Sequence, residues 1–535
     1  MPYSNSAGIV LSSAYVAPGL ASEFGFLPPS FLPLANRRLY CWQLEKLKDY
    51  VQTLFLTIPQ GFPLEEFDRE WLLQNRVSVC PRDENRALGA TVSKCLSLLD
   101  PSITDVLLLF GDTYLSNPGV MKENSVAVGH TQEHSRWGYC RQGENGQLEF
   151  FEDYNMGDGG RQPVVVGCFR LKRDTLQKCL DLSGKDFYAA LNLYAGRQGL
   201  SLIDVGNDWY DFGHINSYFR SRQHFTTERT FNSIKIEKRK VSKFSKQNKK
   251  MKAGTLWYES VPRDIDVYLP GYLGRTRQAE VEGYATEYLF LPPLNDLFVY
   301  GRLPETIWQQ IFDGCREFLE ECRNYPGTDD ILEDCWWLYG TKTEERLSEF
   351  CRLRDISPDQ PWRFNGKQLP SLQEIYESVL KLISAPSRNT TSIIHGDFHF
   401  ANIFFDFRSL GVKLVDPRGM IRGIPTIYGD NRYDLAKLAH SVDGLYDFIL
   451  AGILKADMKA PYEIEFTVKK NRQIDIVQSL FASMQVAGTP ARTREIRAIM
   501  VLLFLSMLPL HNDVRTRQDT LLANMFRLYA ELEQE

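Results

Sequence analysis

The sequence predicts two fold classes in one chain: an α/β unit over residues 1–222, then an α+β unit made of a small strand-bearing lobe (223–300) and a larger helical lobe (301–535). Three observations predict this. Short continuous apolar runs alternate with amphipathic segments up to about residue 222, which suits strands buried on both faces and joined by crossover helices. Strand-like alternation and a lysine-rich stretch follow, up to about residue 300. From about residue 305 the pattern is mainly helical, with one strand-rich insert from Ser392 to Val415. A polar stretch near Arg222–Glu228 marks the boundary.

The elements follow in order. Ala7 to Ser12 reads as a buried first strand. Val51–Thr57 (VQTLFLT) and Asp105–Phe110 (DVLLLF) are apolar runs of strand length, and Ala87–Leu99 between them has helical spacing. Phe231–Ile236 alternates like a strand. RKVSKFS is a second strand, and TLWYESVP is an amphipathic helix ended by Pro262. Tyr284–Phe290 reads as another apolar strand. Ala498–Leu510 is the longest strongly apolar run, too short to span a bilayer and therefore a buried helix.

Composition removes several function classes. At 535 residues with 43% hydrophobic and 24% charged side chains, the chain is neither disordered nor fibrous. Its net charge of −5 gives no global drive toward nucleic acid or anionic membrane. The 10 cysteines are scattered with no C-x-x-C pair, so reduced core thiols are expected. The N-terminus has no Lys or Arg ahead of its apolar stretch, which argues against a secretory leader. A cytoplasmic location is the resulting expectation.

The most informative segment is SIIHGDFHFANIFFD, residues 392–406, followed by LVDPRG with Asp416. Phosphoryl transfer needs a carboxylate near the acceptor hydroxyl, and oxygen ligands for Mg²⁺ on the ATP phosphates. The protein-kinase catalytic loop, H-R-D-x-x-x-x-N and then a D-F-G aspartate, supplies both. The interval from Asp397 to Asn402 is the same here, and Asp416 closes the apolar run VKLVD. A turn with a capping Asp would explain H-G-D alone, but not the Asn and the later Asp. A His-Asp metal hydrolase would want more ligands at short spacing than His399.

At these residues the chain resembles the aminoglycoside phosphotransferase and choline kinase-like small-molecule kinases. Their pattern, H-G-D-x-x-x-x-N and later I-D, matches His395, Asp397, Asn402 and Asp416. The resemblance implies Asp397 as the base or acceptor-orienting group, Asn402 and Asp416 as Mg²⁺ ligands, and His395 as a brace for the loop. It implies a lobe-stabilising role for Asp434 in RYDLAKL. The small lobe should carry a lysine for the ATP phosphates. Lys243 in RKVSKFS is the candidate, with Lys240 and Lys246 as alternatives. An acidic partner is expected on the next helix, where Gly254 occupies the natural position and Glu259 is the nearby carboxylate. The hinge would be TEYLFLPPLNDL, with Glu287, Tyr288 and Leu289 offering backbone contacts to adenine. No G-x-G-x-x-G loop precedes Lys243. The basic run from Lys238 to Lys252 has one interleaved aromatic, Phe244, and reads as a solvated helix face plus one ATP lysine.

In the first half, DVLLLFGDTYL ends a strand at Gly111-Asp112, and NDWYDFGH places Asp211 before Phe-Gly. Two carboxylates from separate strands can share one Mg²⁺ and neutralise a triphosphate. With AGIVLSS, FLPPSFLPLANRRL, GATVSKCL and VVVGCFRL, in that order, this half resembles the sugar-phosphate nucleotidyltransferases, which have a GT-A-like α/β fold. It departs from them in two places. The opening loop SSAYVAPGLASEFG has two glycines and no Arg, and the expected Pro-Lys is Pro29-Ser30. Two readings stand: a divergent cytidylyl- or other nucleotidyltransferase using CTP or another nucleoside triphosphate, or a degenerate module that binds nucleotide or scaffolds. A GT-A glycosyltransferase would want a D-x-D, and FGDTY has one Asp.

The two halves in this order resemble bifunctional proteins of bacterial capsule and surface-polysaccharide biosynthesis. The resemblance implies an ATP- and Mg²⁺-dependent transferase for a small hydroxylated molecule. No nucleic-acid partner and no membrane span are expected, and a homo-oligomer is left open. The aromatic residues Trp336, Trp337 and Trp362 and the segment Lys342–Leu347 fall in the acceptor half, where helix packing accounts for them. An amino alcohol, sugar, polyol or amino acid amide are all open as acceptor.

Overall fold

A computed structural model describes residues 5–83, 87–131, 137–143, 147–151, 163–225, 232–237, 239–245, 248–278 and 281–534. The chain divides into two compact units, residues 1–226 and 227–535.

The first unit is built on a nine-stranded mixed sheet. Ser6–Leu11 is buried at every residue and lies at its centre, as its unbroken apolar run requires. It runs parallel to Thr53–Pro59 on one side and to Asp105–Phe110 on the other, so that Ile9 stands between Phe55 and Leu108. Val77–Arg82 extends the parallel half beyond Thr53–Pro59. The other half departs from a simple crossover pattern. Val164–Lys172 enters antiparallel beside Asp105–Phe110, and Ser125–Gly129 then pairs antiparallel with it. Continuous apolar runs report burial on both faces but say nothing about direction, so this reversal has no signature in VVVGCFRLK. Helices Leu88–Leu98, Arg173–Leu182 and Phe187–Gln198 bring Val92, Leu176 and Leu191 onto one face of the sheet, where they pack with Ile9, Leu108 and Phe169.

The second unit opens with a four-stranded antiparallel sheet in the order Asn232–Glu237, Lys240–Ser245, Val281–Glu287, Tyr272–Gln278. The third of these stops at Glu287 rather than Phe290, because the chain turns toward Pro292-Pro293 and cannot extend the ladder. Helix Asn248–Ser260 follows the second strand, and its buried Trp257 donates Nε1–H to the carbonyl of Ile394 at 2.9 Å. The basic run is therefore divided between a strand (Lys240, Lys243) and a helix (Lys249, Lys250, Lys252). Lys238 and Lys246 lie outside the described residues.

The remainder is helical. Glu305–Arg323 buries Trp308, Ile311, Phe312, Cys315, Phe318, Leu319 and Cys322, a three-and-four spacing that sends one stripe inward. The run Ala498–Leu510 falls in helix Arg494–Met507 and the short turn after it, and is buried up to Pro509, with Leu510 exposed. Among the described residues no helix is long and apolar enough to cross a membrane. All ten cysteines are buried free thiols. The strand-rich insert is a hairpin, Ile403–Asp406 against Gly411–Leu414, held against the helices through Phe400, whose ring stacks on Trp308 with centroids 6.0 Å apart.

One buried group makes this fold acid-sensitive. His440 is fully buried between Tyr446 (4.2 Å) and Phe504 (4.7 Å), and neither ring nitrogen has a hydrogen-bond partner among the described residues. Burial first, then Lys437 and His399, hold its pKa well below the usual value. The folded state therefore binds fewer protons than the unfolded chain, in which a histidine titrates near pH ~6.5. This contribution is complete above that pH and is lost as pH falls, at about 1.4 kcal/mol per pH unit. His440→Phe should flatten the fall of unfolding free energy below pH ~6.5 by about one proton's worth, as read by urea titrations at successive pH values.

Candidate active sites

Of the residues singled out in the second unit, His395, Asp397, Asn402, Asp416, Asp434 and Lys243 meet at one place. Asp397 lies in the loop between Thr391–Ile393 and the hairpin, and its side chain is part-exposed. Asn402 donates from Nδ2 to the Asp397 carbonyl at 3.0 Å and to Asp397 Oδ2 at 3.2 Å. With its nitrogen spent on Asp397, Asn402 keeps its carbonyl oxygen as a donor for a cation. Asp416 follows the hairpin in a left-handed conformation (φ 64°), a strained geometry that a short polar side chain tolerates. Its Oδ2 is 2.8 Å from Lys243 Nζ, so the strand Lys240–Ser245 does deliver a lysine to this position. Asn402 and Asp416 together offer the oxygen donors that Mg²⁺ prefers.

The electrostatics keep both aspartates charged. Burial pushes the Asp397 carboxyl up, but Lys437 and His399 overcome this and hold it well below the usual carboxylate range. Lys437 Nζ is 2.9 Å from Asp397 Oδ1, and His399 Nε2 is 3.5 Å from Oδ2. Asp416 is likewise lowered, burial being outweighed by Lys243. His395 is fully buried. Its Nε2 pairs with the carbonyl of Val415 at 3.0 Å, and burial pushes its pKa down to about 4, so it braces the loop as a neutral ring. Gly396 has φ 75°, and a Cβ there would lie 2.7 Å from Arg418 Cβ, so the turn into Asp397 has no room for another residue. Asp434 accepts the amide hydrogens of His395 and Gly396 at 2.7 Å each.

Two expectations need correction. Glu259 is not the partner of Lys243: it pairs with Arg275 at 2.7 Å and accepts from the Tyr272 hydroxyl at 3.0 Å. Gly254 stands instead against Tyr284, 3.0 Å from where its Cβ would be, and Lys243 turns to Asp416. Along the expected hinge, the Glu287 amide donates to Gly271 and the Tyr288 amide to Arg239, at 2.8 and 2.7 Å. Leu289 is the residue of the three whose amide has no partner among those described.

Lys437 was not singled out from the sequence, although a signal was there. Asp434, Lys437 and Ser441 sit at i, i+3 and i+7 on helix Asn431–Val442, polar positions along one face. All three face the loop: Asp434 and Lys437 as above, and Ser441 Oγ accepting from the Phe400 amide at 3.0 Å.

In the first unit Asp112 and Asp211 also converge. Strand Trp209–Asp211 pairs antiparallel with Thr113–Leu115, which sets Asp211 opposite Thr113. The Phe212 amide donates to the Asp112 carbonyl at 2.8 Å. A Cβ on Gly213 would fall 2.6 Å from Asp112 Oδ2 and 3.3 Å from Asp211 Oδ1. Burial and then the Asp211 charge push Asp112 up to about 7. No third His, Cys, Asp or Glu joins them among the described residues. Ser30, at the position of the expected Lys, is fully buried and donates to the Gly111 carbonyl at 3.1 Å, so it closes the strand tip instead of reaching outward.

Comparison with known proteins finds no matching family model and no matching curated protein. Among solved structures, HddC from Yersinia pseudotuberculosis is similar at 14% identity over 42% of this chain and 100% of that one, with a TM-score of 0.32. A UTP-bound UGPase from Acinetobacter baumannii is similar at 13% identity over 43% and 95%, with a TM-score of 0.34. A thermostable mutant of the aminoglycoside phosphotransferase APH(4)-Ia is similar at 13% identity over 58% and 92%, with a TM-score of 0.33.

The double acceptor at Asp434 should be measurable. Asp434→Ala leaves two buried amides without a partner and should cost about 3 kcal/mol in urea unfolding. Asp434→Asn, which keeps one acceptor oxygen, should recover part of that loss.

Proposed function

We propose that residues 227–535 form an ATP- and Mg²⁺-dependent kinase that phosphorylates a small hydroxylated metabolite. The observation that carries this reading is that Asn402 hydrogen-bonds Asp397 while Lys243 pairs with Asp416, whose preceding residue Val415 donates its amide to the Asn402 backbone carbonyl at 3.0 Å. Asp397, kept ionised by Lys437 and His399, orients the acceptor hydroxyl and takes its proton as the oxygen attacks the γ-phosphorus and ADP leaves. The Asn402 carbonyl and the Asp416 carboxylate would hold Mg²⁺, which when bound neutralises charge on the phosphates. Lys243 lies where it can hold ATP phosphate oxygens, and the Leu289 amide can donate to an adenine edge. Asp434 and His395 hold the loop in shape. Asp397→Asn should reduce ATP-dependent phosphorylation to below about one-hundredth, with ATP binding retained. The readout is mass spectrometry of ADP and product against a pool of hydroxylated metabolites, and full activity in the variant would sink the assignment.

For residues 1–226 the reading is a divergent nucleotidyltransferase that joins a nucleotide to the phosphorylated product. Its support is the Asp112–Asp211 pair, a like-charge arrangement that a divalent cation relieves. Such a sequence of phosphorylation and activation suits the modification of a surface polysaccharide. Ser30 favours a second reading, in which this unit binds nucleotide or scaffolds without transfer, since it takes the place of a cation aimed at the phosphates. CTP or another nucleoside triphosphate, offered with the phosphorylated acceptor and Mg²⁺, should release pyrophosphate in the wild type and not in Asp112→Asn. Silence across all four nucleotides would leave the binding role.

A further inference from the structure

Beside Asp397 lies a group of cations that phosphoryl transfer from ATP does not by itself require. Lys342, in the first turn of helix Thr341–Arg354, is 5% exposed. Its Nζ is 3.4 Å from the hydroxyl of Tyr433 and 5.7 Å from the centre of that ring. Arg418 donates to the same hydroxyl at 2.8 Å, with its guanidinium 5.5 Å from the ring. Arg346, one turn after Lys342, donates to the Ser506 carbonyl at 3.0 Å. Lys437 completes the group and is paired with Asp397.

The carboxylates nearby are already committed. Asp397 holds Lys437, and both oxygens of Asp434 accept loop amides. Asp430 holds Arg432 at 2.5 Å. Glu344, Glu345 and Glu349 point to solvent on the outer side of helix Thr341–Arg354. Lys342, Arg346 and Arg418 therefore have no carboxylate within ion-pair distance among the described residues. Buried charges of one sign lose hydration and repel each other. That combination, burial first and then Arg418, Arg346 and Lys437, brings Lys342 down to about 7 despite the opposing effect of Tyr433. The Tyr433 hydroxyl, which Arg418, Lys342 and Lys437 push down to about 7 against its burial, offsets part of this cost, and an oxyanion held there would relieve the rest.

Arg418 follows Asp416 by two residues, but Lys342 and Arg346 stand apart from Lys243, the lysine assigned to the nucleotide. Lys243 comes from the small sheet, whereas Lys342 and Arg346 come from a helix packed on Arg494–Met507 in the helical lobe. Lys437 links the group to Asp397, where the acceptor hydroxyl is to be activated. Resting on the kinase reading above, we infer that the acceptor is an anionic hydroxylated metabolite, and that Lys342, Arg418 and Tyr433 bind its carboxylate or phosphate group. The cationic amino alcohols and aminoglycosides are thereby excluded as acceptors.

The test compares matched acceptors: glycerol, glycerate and glycerol 3-phosphate; glucose, gluconate and glucose 6-phosphate; and choline and ethanolamine as cationic arms. ADP formation above the Asp397→Asn background is expected only with anionic members, and the carboxylate and phosphate arms identify which oxyanion is read. Lys342→Met should raise KM for the preferred anion at least tenfold, with a smaller rise in Tyr433→Phe. Its melting temperature should rise, because repulsion is removed, whereas a merely structural lysine would lower it. As a measurement independent of the acceptor chosen, inorganic phosphate is titrated into the full-length protein saturated with Mg²⁺ and a non-hydrolysable ATP analogue. Saturable binding that weakens at least tenfold in Lys342→Met supports the inference. Preference for a neutral or cationic acceptor, an unchanged KM, or phosphate binding that is absent or equal in the variant overturns it while the kinase stands. Failure of the wild type to bind the ATP analogue would instead remove the kinase reading.

Discussion

Two amide hydrogens, those of His395 and Gly396, point into the carboxylate of Asp434, and the geometry of the second unit follows from that contact. It ties the loop that carries Asp397 to a helix buried along most of its length. Once that helix is anchored, its next turn sets Lys437 against Asp397, and the turn after sets Ser441 against the Phe400 amide. Phe400 in turn stacks on Trp308, so the loop is clamped between two helices distant in sequence. A site whose shape depends on backbone contacts to rigid elements can hold charged groups that would otherwise relax away from one another.

The two units arrange their aspartates by opposite logic. In the second unit each aspartate has a cation: Lys437 for Asp397 and Lys243 for Asp416, and both carboxyls titrate low. In the first, Asp112 faces Asp211 instead, and its carboxyl is raised. The first arrangement is charged and ordered by the protein's own groups. The second sets like charges together, an arrangement that a cation would relieve.

Much of this was legible in the chain. Apolar runs of strand length located Ser6–Leu11 and Asp105–Phe110 to within a residue, because burial on both faces leaves no polar position. The interval from Asp397 to Asn402 could be read because both lie in one short loop, where sequence spacing is spatial spacing. What could not be read depended on distant pairing. The antiparallel entry of Val164–Lys172 is a property of the sheet and not of the run. Glu259 had the right charge in the right helix, but Arg275 on a neighbouring strand claims it. Lys342 and Arg418 are 76 positions apart and meet only across Tyr433. Which amides of Glu287, Tyr288 and Leu289 are already spent depends on Gly271 and Arg239, distant in the chain.

The burial of all ten thiols has a practical consequence. Six of them (Cys41, Cys80, Cys95, Cys140, Cys168 and Cys179) belong to the first unit, and four (Cys315, Cys322, Cys335 and Cys351) to the second. A buried thiol reacts with an alkylating reagent only when its surroundings open. The chain therefore carries two internal sets of clocks, one per unit. Peptide mapping after timed alkylation would resolve which half opens first without any introduced label. A single cysteine placed on the surface of either unit would react against a silent background.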